Sequence, residues 1–246
     1  MIENIQLQKF LLGTKYCDTD NAMIRLIAKE LSLPRKGDDV YSAVQIFNWV
    51  RDEVKYNFDY WNVKASDTLM KMSGMCANKA NLQIAMLRSI GIPAGYMVLR
   101  IKKDALKAIA INELFDKSLD VIIHVYCCVM LNGEWVGADA TVDRELYESA
   151  YVDVPNWDYV EWDGYSHIHI SDNFITHASG PYPNLDEYMD MPHRFLNEDI
   201  MERAPEMNMN FAFDYEAKWW REKGEELKER DFKSWEGLEK WNIKSV

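Results

Sequence analysis

Residues 73–101, SGMCANKANLQIAMLRSIGIPAGYMVLRI, decide the fold. From Cys76 onward the apolar positions Ala80, Leu82, Ile84, Ala85, Leu87 and Ile90 are dense enough to predict a helix buried on most sides. Gly91 and Pro93 end it, and Ala94–Ile101 then reads as a strand. Cys76 therefore stands at a helix N-terminus, where unpaired N–H groups and the positive end of the helix dipole favour an anion. A thiol there, beside a histidine, is suited to nucleophilic chemistry. Alone, a cysteine near a helix start is more often a small buried residue.

Downstream, VIIHVYCCVML (121–131) predicts a long strand, and Asn132-Gly133 is the strongest hairpin signal in the chain. A two-residue turn pairs Leu131 with Glu134 on the return strand EWVGADAT (134–141). The same register puts His124 opposite Thr141, with Asp139 two residues along on the same face, a diagonal spacing of roughly 7–8 Å. A histidine and an aspartate inside apolar strands are costly unless paired or used. Cys76, His124 and Asp139 together fit a nucleophile, a base and the acid that orients the base. The alternative for the hairpin alone is a satisfied His–Asp pair with no catalytic role.

These residues resemble the transglutaminase-like superfamily of papain-like cysteine enzymes. The likeness rests on Gly74-x-Cys76 with Ala80 following, the Leu-Arg-x-x-Gly-Ile-Pro of 87–93, the His124 strand, Trp135, Asp139-Ala140-Thr141 and the upstream helix AVQIFNWVRDEVKYNFDY. It covers about residues 40–143. It implies an α+β papain-like core, with the nucleophile at a helix N-terminus packed on an antiparallel sheet, and assigns catalysis to Cys76, His124 and Asp139. Where the family commonly has His-Ala-Trp this chain has His124-Val125-Tyr126, and Ala140 stands where a proline often follows the aspartate. The family draws a second oxyanion donor from upstream of the nucleophile, and the aromatic stretch 56–61 is the candidate here. Amide-forming members, some working on carrier-bound thioesters, make an acyltransferase with an acyl donor and an amine acceptor the first expectation. A cysteine peptidase or amidase is the second, and a non-catalytic binding module of the same fold the third.

Around this core, residues 21–33 predict a helix capped by Asp20 and stopped by Pro34, after an earlier helical piece. Residues 41–55 predict another, and the charged insert 102–120 a further one. The division expected is 1–150 as catalytic core and 151–246 as an extension packed on the same domain. The charge changes at that boundary. Residues 1–150 carry 18 basic and 19 acidic side chains, whereas 151–246 carry 10 and 21, so nearly all of the net −12 lies in the second part. Such a field argues against nucleic acid and would draw in a cationic amine. It also serves plain solubility. Six of the nine tryptophans follow residue 150, as groove lining or as cover for an irregular segment. There the run HIHIS (167–171) alternates like a strand, and 214–230 reads as a charge-rich helix. His167, His169 and His177 lack partners at metal-ligand spacing, so neither metal nor cofactor is expected. Hydrophobic residues at 48% with no apolar run of roughly 18 residues exclude a membrane span. The start, MIENIQLQKFLLGTK, with Glu3 and no long apolar run, does not read as a secretory signal. Four cysteines without a regular framework (Cys17, Cys76, Cys127, Cys128) fit reduced thiols and a cytoplasmic protein.

Overall fold

The helix that begins at Cys76 is the axis around which the computed structural model is built; it describes residues 7–110, 115–116 and 118–191. Before this helix lie α1 (Ala22–Ser32), α2 (Asp39–Glu53), β1 (Lys55–Tyr56), α3 (Ala65–Lys71) and β2 (Ser73–Gly74). The axis itself is α4 (Cys76–Ser89). After it come β3 (Ala94–Lys102), β4 (Val121–Leu131), β5 (Glu134–Ala138) and β6 (Ile175–Tyr182). Every α4 residue from Cys76 to Arg88 is buried, because α1, α2 and α3 pack around it and β3 and β4 lie beneath it. This is the mixed α+β architecture expected.

Burying α4 all round traps its polar side chains, and hydrogen bonds offset that cost. Asn81 Nδ2 donates to the Tyr16 carbonyl at 2.8 Å, and Asn81 Oδ1 accepts from the Tyr96 hydroxyl at 2.6 Å. Arg88 donates twice to the Ala94 carbonyl, at 3.0 and 2.8 Å. The arginine of the Leu-Arg-x-x-Gly-Ile-Pro run thus ties the end of α4 to the start of β3. Between them Gly91 takes φ +89°, a left-handed conformation that suits glycine.

The four-stranded sheet has the order β5-β4-β3-β6, each neighbour antiparallel. Asn132 (φ 52°) and Gly133 (φ 87°) make the predicted turn. Leu131 pairs with Glu134, and the register runs on to Cys127 opposite Ala138. There the ladder stops, three residues short of the expected end at 141. Ala138 instead bridges Ile168 in parallel, and the Asp139 N–H donates to the Ile168 carbonyl at 3.1 Å. The HIHIS segment takes over the pairing of the return strand, so His124 never meets Thr141 across a ladder. HIHIS itself forms this single bridge rather than a full strand.

Three local expectations change. The cap of α1 is Asn21, whose Oδ1 accepts from the Met23 and Ile24 N–H groups at 3.0 and 3.2 Å. One residue separates it from Asp20, and both are good cap formers. In the insert Lys103–Leu106 is a 3-10 turn and residues 115–116 are helical, while 111–114 and 117 lie outside the described residues. The earlier N-terminal piece is helical at 7–8 and runs on as a 3-10 turn at Lys9–Leu11, and residues 1–6 lie outside the described residues. The helix expected at 214–230 lies outside the described residues. No helix among the described residues is long and apolar enough to cross a membrane.

Candidate active site

Cys76 is placed by its nearest neighbours in the chain. β1 and β2 pair in parallel, Tyr56 opposite Gly74, which sets the aromatic stretch beside the entry to α4. A β-carbon on Gly74 would lie 2.6 Å from Asn78 Cβ, so only glycine fits there. The Met75 N–H donates to Asn78 Oδ1 at 3.0 Å, and Asn78 Nδ2 donates to the Tyr60 carbonyl at 2.8 Å. Trp61 Nε1 donates to Met75 Sδ at 3.1 Å. These contacts fix the first turn of α4 and aim the Cys76 side chain, which is 5% exposed.

His124, on β4, is close enough to Cys76 for the thiol to act on its charge. Its Nε2 lies 2.7 Å from Asp139 Oδ2, which leaves Nδ1 as the nitrogen for the sulfur. The imidazole thus stands between nucleophile and acid. Burial opposes a charge on His124, but Asp139 and Cys76 outweigh it and push the ring up to about 10. At neutral pH it is an imidazolium. Burial likewise opposes a charge on Asp139, yet His124 and Thr141 hold its carboxyl below the ordinary carboxylate value.

Asp139 is anchored on three sides. Besides His124, Oδ1 accepts from the Thr141 N–H at 3.1 Å and Oδ2 from the Ile170 N–H at 3.3 Å. The three residues singled out in the sequence therefore come together. Two main-chain donors to the acid were not anticipated. The Thr141 N–H has a local signal, two residues after the aspartate. The Ile170 N–H has none, because it lies 31 residues away.

Tyr56 and Tyr151 sit close enough to Cys76 for its charge to act on them. Burial first, and then that charge, raise both phenols well above their usual value, so both remain hydroxyls. The Tyr151 hydroxyl donates to the Ala105 carbonyl at 3.0 Å. A cavity of about 260 Å³ has Asp139 in its wall, together with Tyr147, Trp157, Asp158, Tyr159 and Asp172. The aromatic residues after 150 thus serve both expected purposes: Trp157 lines this space, while Trp162 is buried against Phe47.

Residues 27–140 match the family model of the transglutaminase-like superfamily. Such proteins are typically enzymes of the cysteine protease and acyltransferase type. Cys76, His124 and Asp139 all fall inside the matched segment, which ends one residue past the aspartate. Thr141 and Ile170 lie beyond it. The fold is also similar to a crystal structure of a "Putative Cysteine Protease" from Cytophaga hutchinsonii. The two share 23% identity at a TM-score of 0.42, over 55% of this chain and 42% of that one. The similarity thus spans less than half of that protein's length. No curated protein gives a significant match.

In this core His167 and His169 do structural work. His167 Nδ1 accepts from the Gly137 N–H at 3.0 Å, and His169 Nδ1 bonds the Ile170 carbonyl at 2.8 Å. Both hold the segment that delivers the Ile170 N–H to Asp139. His177 lies opposite Arg100 on β6. Among the described residues no group of three or more histidine, cysteine or acidic side chains is placed to hold a metal. All four cysteines are free and buried.

Proposed function

We propose that the protein transfers an acyl group through a thioester on Cys76 to an amine, forming an amide. The observation that carries this reading is the buried His124–Asp139 pair at 2.7 Å with Cys76 near enough to act on the imidazole. The Cys76 sulfur attacks the donor carbonyl, with the His124 imidazolium as its ion-pair partner. The oxyanion is received by N–H groups of the first turn of α4 and by the hydroxyl of Tyr56, from the stretch singled out upstream. His124 gives its proton to the leaving group. It then removes one from the incoming amine, whose attack releases the amide and restores the sulfur.

Two features support an amine over water. Cys76 and His124 are each 5% exposed, and Asp139 7%, so the triad is shielded from bulk water. The neighbouring cavity combines Tyr147 and Trp157 with Asp158 and Asp172, while the Arg51 guanidinium in its wall is paired with Asp52 and Glu161, a lining that suits a cationic amine. The donor is a small-molecule or peptide acyl compound, including one carried as a thioester on a carrier protein.

The test is incubation with a simple acyl thioester, with and without a diamine, followed by mass spectrometry of protein and products. An acyl adduct on Cys76 and an amide in the diamine sample are expected. Free acid at one rate in both samples, with no amide, would leave a hydrolase of the peptidase or amidase kind. No adduct from any donor and no turnover would leave a binding module, and full turnover in Cys76→Ala would overturn the triad.

A further inference from the structure

Lys79 is a fully buried lysine on the helix of the nucleophile, 0% exposed, and the steps above give it no task. It lies three residues after Cys76, on the same side of α4. Its Nζ donates to the Arg51 carbonyl at 3.1 Å and to the Thr141 carbonyl at 3.2 Å. Arg51 is in the last turn of α2, where unpaired carbonyls and the negative end of the helix dipole favour a cation. Thr141 is the residue whose N–H donates to Asp139 Oδ1.

We propose that Lys79 is a positioning residue, locking the loop that holds Asp139 to the helix that carries Cys76. One ammonium group ties together the end of α2, the first turn of α4 and the segment just after β5. Its grip on the Thr141 carbonyl holds the Thr141 N–H on the acid. The nucleophile and the orienting aspartate thereby share a single strut. Packing alone does not call for a lysine here. A methionine would fill the space without the cost of burying a charge. Burial draws Lys79 down to about 8, against the pull of Asp143, Asp52 and Asp139 and helped by Lys55. It still carries its charge at neutral pH.

The proposal rests on the triad reading but is tested apart from it. The readout is the titration of His124, followed by NMR in full-length protein labelled with [15N]histidine. The chain has five histidines, so the signals are few enough to assign. In Lys79→Met the slackened Asp139 contact should lower the His124 titration by at least ~1 pH unit, and Cys76 acylation should slow about tenfold. Removing a nearby positive charge would by itself move His124 upward. A downward movement therefore reports lost positioning. A folded Lys79→Met with a lower Tm and His124 unmoved or raised would overturn the proposal and leave Lys79 a structural residue. If Lys79→Met does not fold, Lys79→Gln is read in its place. Gln is uncharged and too short to span both carbonyls, so the same fall is expected, and an unmoved His124 overturns the proposal. Failure of the triad reading looks different: full turnover in Cys76→Ala, whatever His124 does.

Discussion

The two ends of the triad are held in opposite ways. Around Cys76 the contacts are local: Gly74, Met75 and Asn78 lie within two residues of it, and Tyr60 and Trp61 within sixteen. Around Asp139 they are mostly distant. The Ile170 N–H comes from 31 residues downstream, and Lys79 reaches Thr141 across 62 residues. The nucleophile is placed by a helix start that could be written almost anywhere. The acid is placed only when the rest of the fold has closed around it.

Substitutions can break this contrast. The largest effect is expected for Cys76→Ala, which removes the attacking atom. Turnover should fall by at least about 10³-fold, with little change in Tm, as read in a paired activity and melting experiment. Asp139→Asn keeps the shape but removes the charge that holds His124 up. The His124 titration should fall from about 10 towards the ordinary ~6.5, and acylation should drop ~10²- to 10⁴-fold. Ile170→Pro deletes the distant N–H and leaves the aspartate otherwise intact. A loss of about 1–3 kcal/mol in stability and a lowered His124 titration are expected. Amide exchange in the first turn of α4 should stay as it was. Asn78→Ala should show the reverse pattern: about 1 kcal/mol lost, faster exchange in that turn, and His124 unmoved. If the last two variants affect the same observables, the two ends are not held separately and the contrast fails.

The smallest effect is a pH dependence of stability. His124 is raised in the folded state, so its contribution is full below about 6.5 and is lost as pH rises towards about 10. Asp139 is lowered, so its contribution is present above its ordinary value and fades as pH falls through the folded one. Lys79 is also lowered, but it is a base. The unfolded chain binds its proton more tightly, so its unfavourable contribution is relieved as pH rises above about 8. Between about 8 and 10 the two bases oppose each other. Denaturant titrations across this range should show a shallow decline in wild type and a steeper one in Lys79→Met. Equal slopes would mean that Lys79 does not titrate there.

The same contrast explains what was legible in the sequence. α4 and its cysteine follow from apolar spacing and a glycine-proline stop, and β4 with its turn follows from Asn132-Gly133. Both are short-range signals. The side-by-side placement of His124 and Asp139 came from register arithmetic. That arithmetic gave the correct face although the ladder ends at Ala138. Lys79 left a trace, a charge amid dense apolar positions, that periodicity alone could not interpret. Ile170 left none, since a main-chain donor has no residue type to recognise. The same holds for β6, whose run ITHASGPY (175–182) lacks the apolar alternation of a half-buried strand and is exposed along most of its length.

The turn at Asn132-Gly133 has a further consequence, which is one of parity. Successive residues of β5 face opposite sides, so the turn's length determines whether Asp139 or one of its alanine neighbours, Ala138 and Ala140, looks towards His124. One residue added between 131 and 134 would turn the aspartate away and present a methyl group. Two would turn it back. The His124–Asp139 pairing is thus an even-or-odd property of the turn. A library of turn lengths should alternate between active and silent members.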